Sequence, residues 1–145
     1  MINFSELLTN YEIVSFVLEG VLQDEIDGTI NPYKEVMQKA CIDLVKEGKK
    51  VIIYTKRYDY EDEEESNDIS KIYEFCETLK VNDVVFTNRN VLYSYMSNNN
   101  NHCHFNSSEY DIILINQYKR NIETVLTTST GLTFQKKYEQ TEAIW

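Results

Sequence analysis

Four apolar runs, separated by stretches with helical or polar patterns, divide the chain. They lie at 12–17, 51–54, 84–86 and 110–115, and each has the length of a buried strand. Between the first two runs, apolar residues recur at the spacing of one helix face: Met37, Ala40, Cys41, Leu44 and Val45. Strands that alternate with helices predict an α/β fold with a mostly parallel central sheet, in which the first and fourth strands are adjacent.

The remaining stretches complete the predicted element order. Asn31-Pro32 predicts the start of the first long helix, because Asn is a favoured N-cap and Pro suits the first helical position. Gly48 predicts its end. Residues 98–108 are predicted to be the least structured stretch, 117–126 a helix and 131–135 the last strand. Residues 1–10 are interpreted as a lead-in and 136–145 as a tail.

The length and composition indicate one soluble globular domain. The 145 residues are 42% hydrophobic and 26% charged, and they contain three cysteines, which we interpret as reduced thiols. No apolar run is long enough to span a membrane, and the first residues do not resemble a secretory signal. The sequence therefore predicts a cytoplasmic protein without a membrane partner.

The formal net charge of -10 affects which partners are expected. Direct binding to nucleic acid is disfavoured, because contacts with the phosphate backbone rely on Lys and Arg. An acidic surface favours a protein partner with a basic surface, or mimicry of nucleic acid, although many acidic surfaces serve only solubility. The run of four Asn at 98–101 is typical of A/T-rich genomes, including many phage genomes.

The stretch from Val14 to Leu22 predicts a buried strand that ends in a polar turn. It resembles the signature strand of the haloacid dehalogenase-like (HAD) phosphatases, which reads Asp-x-Asp-Gly-Thr/Val-Leu after an apolar run. Gly20 and Leu22 match this pattern. Val17 falls at the position of the family's nucleophile, and Glu19 at that of its general acid/base. The alternative is an ordinary buried strand in an unrelated sheet.

The second predicted strand ends in Thr55-Lys-Arg57. In the HAD family, a Ser or Thr at this place holds a phosphate oxygen, and Thr55 matches it. The phosphatase domain of phage polynucleotide kinases reads Ser-Gly-Arg here, after a helix that opens with Ile-Asn-Pro, as at Ile30 to Pro32. The resemblance is closest to that domain. Taken alone, Thr55 and Arg57 favour a strand-end turn with a solvated arginine, but their register with Gly20 and Pro32 favours the family motif.

The fourth apolar run ends in Asn116-Gln117. In the HAD family, the corresponding strand ends in a pair of acids that bind magnesium, whereas these two side chains are neutral amides. The resemblance implies a three-layer Rossmann-like fold with helices on both faces of the sheet. The loop at 23–30 is too short for a cap domain.

The nucleophile and the metal-binding acids are thus both missing, and one is of no use without the other. The sequence predicts a catalytically inactive HAD-like protein without a cofactor, which binds or regulates a host or viral protein such as nucleic-acid machinery or a defence protein. The alternative is a residual magnesium-dependent phosphatase for phosphorylated nucleotides or polynucleotide ends. That enzyme would use Glu19 together with carboxylates from 24–27.

Two further clusters contain residue types that are typical of binding sites. The acidic run is the predicted binding surface, together with Arg57; its members are Glu61, Asp62, Glu63, Glu64 and Glu65. The triplet His102-Cys103-His104 contains metal-ligand residue types. Three adjacent residues cannot easily reach one tetrahedral ion, and no second ligand pair has zinc-site spacing. No metal site is therefore predicted.

Overall fold

The structure is a computed structural model that describes residues 2–57, 63–88, 91–97, 101–135 and 140–145. For 63–68 and 140–141, only the backbone is described. The helices are α1 (Phe4–Leu7), α2 (Lys34–Lys46), α3 (Glu63–Thr78) and α4 (Glu109–Tyr118), with a 3₁₀ turn at Leu92–Tyr95. The strands are β1 (Ile13–Val17), β2 (Lys50–Thr55), β3 (Asp83–Phe86), β4 (His102–Asn106), β5 (Ile122–Thr128), β6 (Gly131–Gln135) and β7 (Gln140–Ile144).

All seven described strands form one sheet in the order β3-β2-β1-β4-β5-β6-β7. The first five strands in this order are parallel, whereas β6 and β7 are antiparallel additions at one edge. The chain passes from β1 outward to β3, returns to β4 beside β1 and then continues in the opposite direction. This confirms the predicted α/β class with a mostly parallel sheet, and the strand order of its parallel part is Rossmann-like.

Helices contact both faces of the sheet. Phe4 of α1 packs against Phe105 of β4, with ring centroids 6.2 Å apart. His104, the neighbour of Phe105, points to the opposite face, and it is aligned with Thr124 of β5. Asn116 of α4 accepts a 3.0 Å hydrogen bond from Thr124 on that opposite face. The parallel strands are therefore covered on two sides, as their apolar composition predicts.

The strands predicted at 12–17, 51–54 and 84–86 are confirmed as β1, β2 and β3. The strand predicted at 110–115 is wrong, because this run lies in α4. Ile112 and Ile115 are buried while Ile113 is 60% exposed, which is the three-residue spacing of a helix face. Ser108 caps the helix, since its Oγ accepts a hydrogen bond from the Asp111 amide at 3.3 Å.

The fourth strand is β4, within the stretch predicted to be least structured. All five of its residues are buried, and its side chains alternate in chemistry between the two faces of the sheet. His102, His104 and Asn106 share one face, while Cys103 and Phe105 share the other. The predicted adjacency of the strands at 12–17 and 110–115 is therefore wrong, because the strand that pairs with β1 on this side is β4. The helix predicted at 117–126 is also wrong beyond α4, because β5 begins at Ile122.

The ends of α2 differ in how well the sequence predicts them. The helix begins at Lys34, after Asn31-Pro32, and its N-cap residue is Tyr33. Asn31 is buried before this start, where its Oδ1 accepts a 3.0 Å hydrogen bond from the Tyr33 amide and its own amide donates to the carbonyls of Val21 and Gln23. The end at Gly48 is confirmed, where a φ of 85° follows the last helical turn.

The last ten residues, interpreted as a tail, include strand β7. The Trp145 ring stacks on Tyr33 at 4.8 Å, and its Nε1 donates a hydrogen bond to the Thr128 carbonyl at 2.6 Å. These contacts attach the end of the chain to the start of α2. A bilayer-spanning helix would have to be longer and more apolar than any helix among the described residues.

Candidate functional site

The candidate site lies at the carboxyl edge of the sheet, between β1 and β4. The connections that follow these two strands leave in opposite directions, so their ends leave a crevice. Open α/β sheets bind ligands at such a switch point. The turn after β1, the end of β2 and the turn after β4 all meet here.

Glu19, just after β1, is the central acidic residue of the site and is only 1% exposed. Its Oε2 accepts a hydrogen bond from the Thr55 hydroxyl at 2.7 Å, and its Oε1 accepts one from the Lys56 amide at 2.8 Å. The Arg57 Nε lies 3.9 Å from Oε2. Both carboxylate oxygens are thus held by the end of β2, which offsets the cost of burying the charge.

A buried ion pair crosses the crevice from β2 to α4. The Lys56 Nζ lies 2.7 Å from the Asp111 Oδ2, and the two side chains are 15% and 3% exposed. Asp111 stands in the first turn of α4, where the helix dipole also favours a negative charge. The Lys56 ammonium group therefore neutralises the carboxylate on the α4 side of the crevice.

The loop at 23–30 closes one side of the crevice. Gly20 has a φ of 86°, and a side chain there would collide with Glu25 and Ser107. The absence of a side chain lets Glu25 approach the turn after β4, where its Oε1 accepts a hydrogen bond from the Ser107 Oγ at 3.1 Å. Tyr33 supports the turn, since its hydroxyl donates toward the Gly20 carbonyl at 3.1 Å.

The resulting cleft has a volume of about 340 Å³. Its lining residues are Glu19, Glu25, Ile26, Asp27, Lys56, Ser107, Ser108 and Asp111. Four carboxylates thus face one ammonium group, so the cleft is acidic in spite of the ion pair. Among the described residues, no three His, Cys, Asp or Glu side chains are grouped so that they could hold a metal ion.

The structure brings together several site residues that the sequence singled out. Thr55 and Arg57 lie at Glu19, as described above. Val17 ends β1 opposite Tyr54 and is completely buried. The last residue of β1 therefore contributes a buried isopropyl group and no polar side-chain atom.

Asn116 and Gln117 do not lie at this edge of the sheet. They are exposed residues on α4. The Asn116 Nδ2 donates a 3.3 Å hydrogen bond to the Gln135 Oε1 on β6, a residue that does not line the crevice. The turn after β4 is instead formed by Asn106, Ser107 and Ser108. The sequence did carry a signal for this turn: Ser108-x-x-Asp111 before an apolar run has the pattern of a capping box.

The acidic run lies partly outside the described residues, which exclude 58–62 and the side chains of 63–68. The structure therefore gives no positions for the side chains of this group: Glu61, Asp62, Glu63, Glu64 and Glu65. Along the chain, Glu61 and Asp62 precede α3, and the backbone of Glu63 to Glu65 belongs to its first turn.

The Lys56–Asp111 pair generates a stability prediction. Lys56→Met leaves a buried carboxylate without its cation, which should cost about 3–5 kcal/mol of unfolding free energy. Lys56→Met combined with Asp111→Leu should recover most of this loss, because an apolar pair replaces the ion pair. Urea unfolding of the three proteins measures these differences.

Lys39→Met is the matched control, since Lys39 pairs with Asp43 in an exposed i,i+4 contact at 2.7 Å. This variant should lose less than about 0.5 kcal/mol, because solvent screens the exposed pair. Equal losses in Lys56→Met and Lys39→Met would contradict the role assigned to the buried pair.

A comparison of the chain with models of known protein families gave no match, and comparisons with curated proteins and with solved structures gave none either. The function is therefore inferred from the residues and the geometry of the cleft.

Proposed function

We propose that this chain is a HAD-like protein that has lost phosphoryl transfer and acts by binding a protein partner. The observation that carries the proposal is Val17, which is fully buried at the end of β1. The strand order and the meeting of Gly20, Glu19 and Thr55 at one edge support the HAD-like part, since the family resemblance implies this arrangement.

The chemistry of the site supports the loss of activity. A phosphoaspartate mechanism needs a carboxylate nucleophile, and Val17 has no lone pair with which to attack. Glu19 is longer than aspartate by one methylene, and the end of β2 already engages both of its oxygens. A displacement of about 1 Å at a reacting group can cost about 100-fold in rate.

The residues present also do not fit a magnesium ion. Magnesium requires oxygen ligands in near-octahedral geometry, usually one or two carboxylates together with water. Here the Lys56 ammonium contacts Asp111 at 2.7 Å, so a positive charge already stands where a second cation would be repelled. The Val17 side chain supplies no oxygen ligand.

A partner with a basic surface suits the charges of this edge. The cleft has four carboxylates against one ammonium group, and the chain carries a net charge of -10. The acidic run at 61–65 follows Arg57 within a few residues along the chain and carries five further carboxylates. Complementary charge of this kind raises association rates and selects partners. In a phage protein, host nucleic-acid or defence machinery would offer such surfaces.

The acidity of the cleft also supports the alternative, a residual metal-dependent phosphatase. Glu19, Glu25, Asp27 and Asp111 line the same space of about 340 Å³. A rearrangement that moved Lys56 away would leave carboxylates able to attract a divalent cation. The phosphatase alternative therefore predicts metal-dependent release of phosphate, whereas the binding proposal predicts none.

We predict no phosphatase activity above background on p-nitrophenyl phosphate or on 3′-phosphorylated oligonucleotides, with or without magnesium. The reason is the missing nucleophile at Val17. Release of inorganic phosphate by the full chain measures this, and Glu19→Gln serves as the control. Metal-dependent turnover that persists through repurification and disappears in Glu19→Gln would contradict the proposal and favour the alternative.

Replacing the acidic side chains at 61 and 63–65 by Gln should weaken binding to a basic partner. A Lys- and Arg-rich peptide is the defined probe, and binding is measured at low and high salt. The wild-type affinity should fall steeply with salt, because exposed charges are screened within about 8 Å at physiological ionic strength. The quadruple variant should bind more weakly and with a shallower salt dependence, while its melting temperature stays unchanged.

A matched control changes the net charge by the same amount elsewhere. Four exposed acids away from the cleft loop serve this purpose: Glu6, Glu12, Glu74 and Glu77. Their replacement by Gln should weaken binding less than the variant of the acidic run. Equal effects of the two quadruple variants would show that net charge alone attracts the probe.

A further inference from the structure

A line of polar side chains runs through the interior on one face of the sheet. Ser15 on β1 and three residues of β4 form it, His102, His104 and Asn106, and none is more than 1% exposed. Ser15 lies directly opposite His104 in the parallel pairing of the two strands. Buried polar groups are costly unless they are hydrogen-bonded, so the partners of these atoms determine the state of the rings.

The direction of the hydrogen bonds follows from Asn106. Its Oδ1 accepts a hydrogen bond from the Ser108 backbone amide at 2.9 Å, which fixes the orientation of the side-chain amide. The Nδ2 therefore faces the His104 Nε2, 3.2 Å away, and donates to it. An Nε2 that accepts carries no proton, so His104 is neutral and carries its proton on Nδ1.

The remaining bonds follow in the same direction. The protonated Nδ1 of His104 donates to the Ser15 Oγ at 2.7 Å. Ser15 has a single hydroxyl proton, and it donates this to the His102 Nε2 at 2.6 Å. His102 consequently carries its proton on Nδ1, an atom without a hydrogen-bond partner among the described residues. The four side chains form one directed chain from Asn106 to His102.

These four hydrogen-bonded side chains connect the interior to the wall of the cleft. Asn106 holds the amide of Ser108, and the Ser108 Oγ caps α4 by accepting from the Asp111 amide. If the His104 Nε2 gained a proton, it and the Asn106 Nδ2 would both be donors, and the hydrogen bond between them would be lost. Asn106 would then have to turn, and its carbonyl oxygen would leave the Ser108 amide.

We propose that neutral His104 is a positioning residue that holds, through Asn106, the start of α4 and with it the cleft wall at Ser108 and Asp111. Protonation of His104 on Nε2 removes this restraint on the start of α4. The inference does not depend on whether the cleft catalyses or binds, because it rests on the hydrogen bonds within β4 and the turn that follows.

The groups around His104 keep its ring neutral at neutral pH. Burial lowers the pKa of His104 well below 6.5, and the nearby His102 and Lys56 lower it further. Burial also lowers the pKa of His102 to about 4. From β2, the Tyr54 ring meets the His104 ring edge-on at 5.8 Å, and on α4 the carboxylate of Asp111 is paired with Lys56. In the unfolded chain, both rings would take up protons near pH 6.5.

The low pKa values of the two rings make the stability of the fold depend on pH. Above pH 6.5 both rings are neutral in the folded and unfolded states, so their contribution to stability is fully present. As the pH falls below 6.5, the unfolded chain binds protons that the folded chain excludes, and stability is lost. The loss continues toward about pH 4, where His102 also titrates in the folded state.

The test is nitrogen NMR of the histidine rings in the full chain, with the Ser108 and Asp111 amides followed during the same acid titration. At pH 7, both rings should carry their proton on Nδ1, and neither should titrate near 6.5. When His104 does take up a proton, the Ser108 and Asp111 amide signals should shift with the same midpoint. An Nε2-protonated His104 at pH 7, or Ser108 and Asp111 signals that do not follow its titration, would overturn the proposal.

Asn106→Asp provides a second measurement. The carboxylate can still accept from the Ser108 amide, but it cannot donate to the His104 Nε2 and instead favours a proton there. The proton of His104 should move to Nε2, or the midpoint of the ring titration should rise by about one to three pH units. Asn116→Asp on exposed α4 is the matched control and should leave His104 unchanged. An Asn106→Asp protein that folds but retains the wild-type ring state would contradict the proposal, and if it does not fold, the wild-type titration decides.

Discussion

The ion pair between Lys56 and Asp111 is the interaction on which the geometry of the cleft depends. It joins the end of β2 to the first turn of α4, two elements on either side of β1, over 2.7 Å. Because both groups are nearly buried, their separation would leave an uncompensated charge inside the protein, which is far more costly than the loss of an exposed pair. The same lysine supplies the backbone amide that holds Glu19. One residue thus fixes both of the buried carboxylates that face the crevice.

Under the proposed function, this constraint also explains how a scaffold that resembles the HAD phosphatases is stable without their nucleophile. The turn at Gly20, the Thr55 hydroxyl and the capped start of α4 all remain useful, because they satisfy buried charges and backbone groups. None of them needs a nucleophile. A site in which protein donors and an internal ammonium group already engage the carboxylates has little capacity left to stabilise a transition state. Under the proposed function, the four carboxylates that line the cleft serve to attract a basic partner.

The sequence predicted the parts of the fold in which hydrophobic pattern and length agree. The strands β1 and β2 are apolar runs of strand length, and Gly48 supplies the positive φ that ends α2. The prediction failed at 102–126, where composition and structure diverge. β4 carries two histidines and an asparagine whose burial depends on Ser15 on another strand, and no local pattern shows that partner. The run at 112–115 is apolar enough for a strand, but the Ser108 cap makes it helical.

For the site, the sequence singled out Val17, Glu19, Thr55 and Arg57 through the family resemblance, and the structure places them at the ends of β1 and β2, which share one edge. It assigned the fourth strand's contribution to Asn116 and Gln117, an error that followed from the misplaced strand. Lys56 and Asp111 were missed, since their importance comes from a contact between residues 55 positions apart. Only the capping pattern at Ser108 offered a local signal for that half of the cleft.

The central claim is that the cleft carries its own cation and no longer operates as a metal-assisted phosphoryl-transfer site. A calorimetric titration of the full chain with magnesium chloride tests this most directly, with Asp111→Asn titrated in parallel. The structure predicts no saturable binding by either protein, because Lys56 already neutralises Asp111 and Val17 provides no ligand. Saturable magnesium binding by the wild-type chain that disappears in Asp111→Asn would contradict the claim.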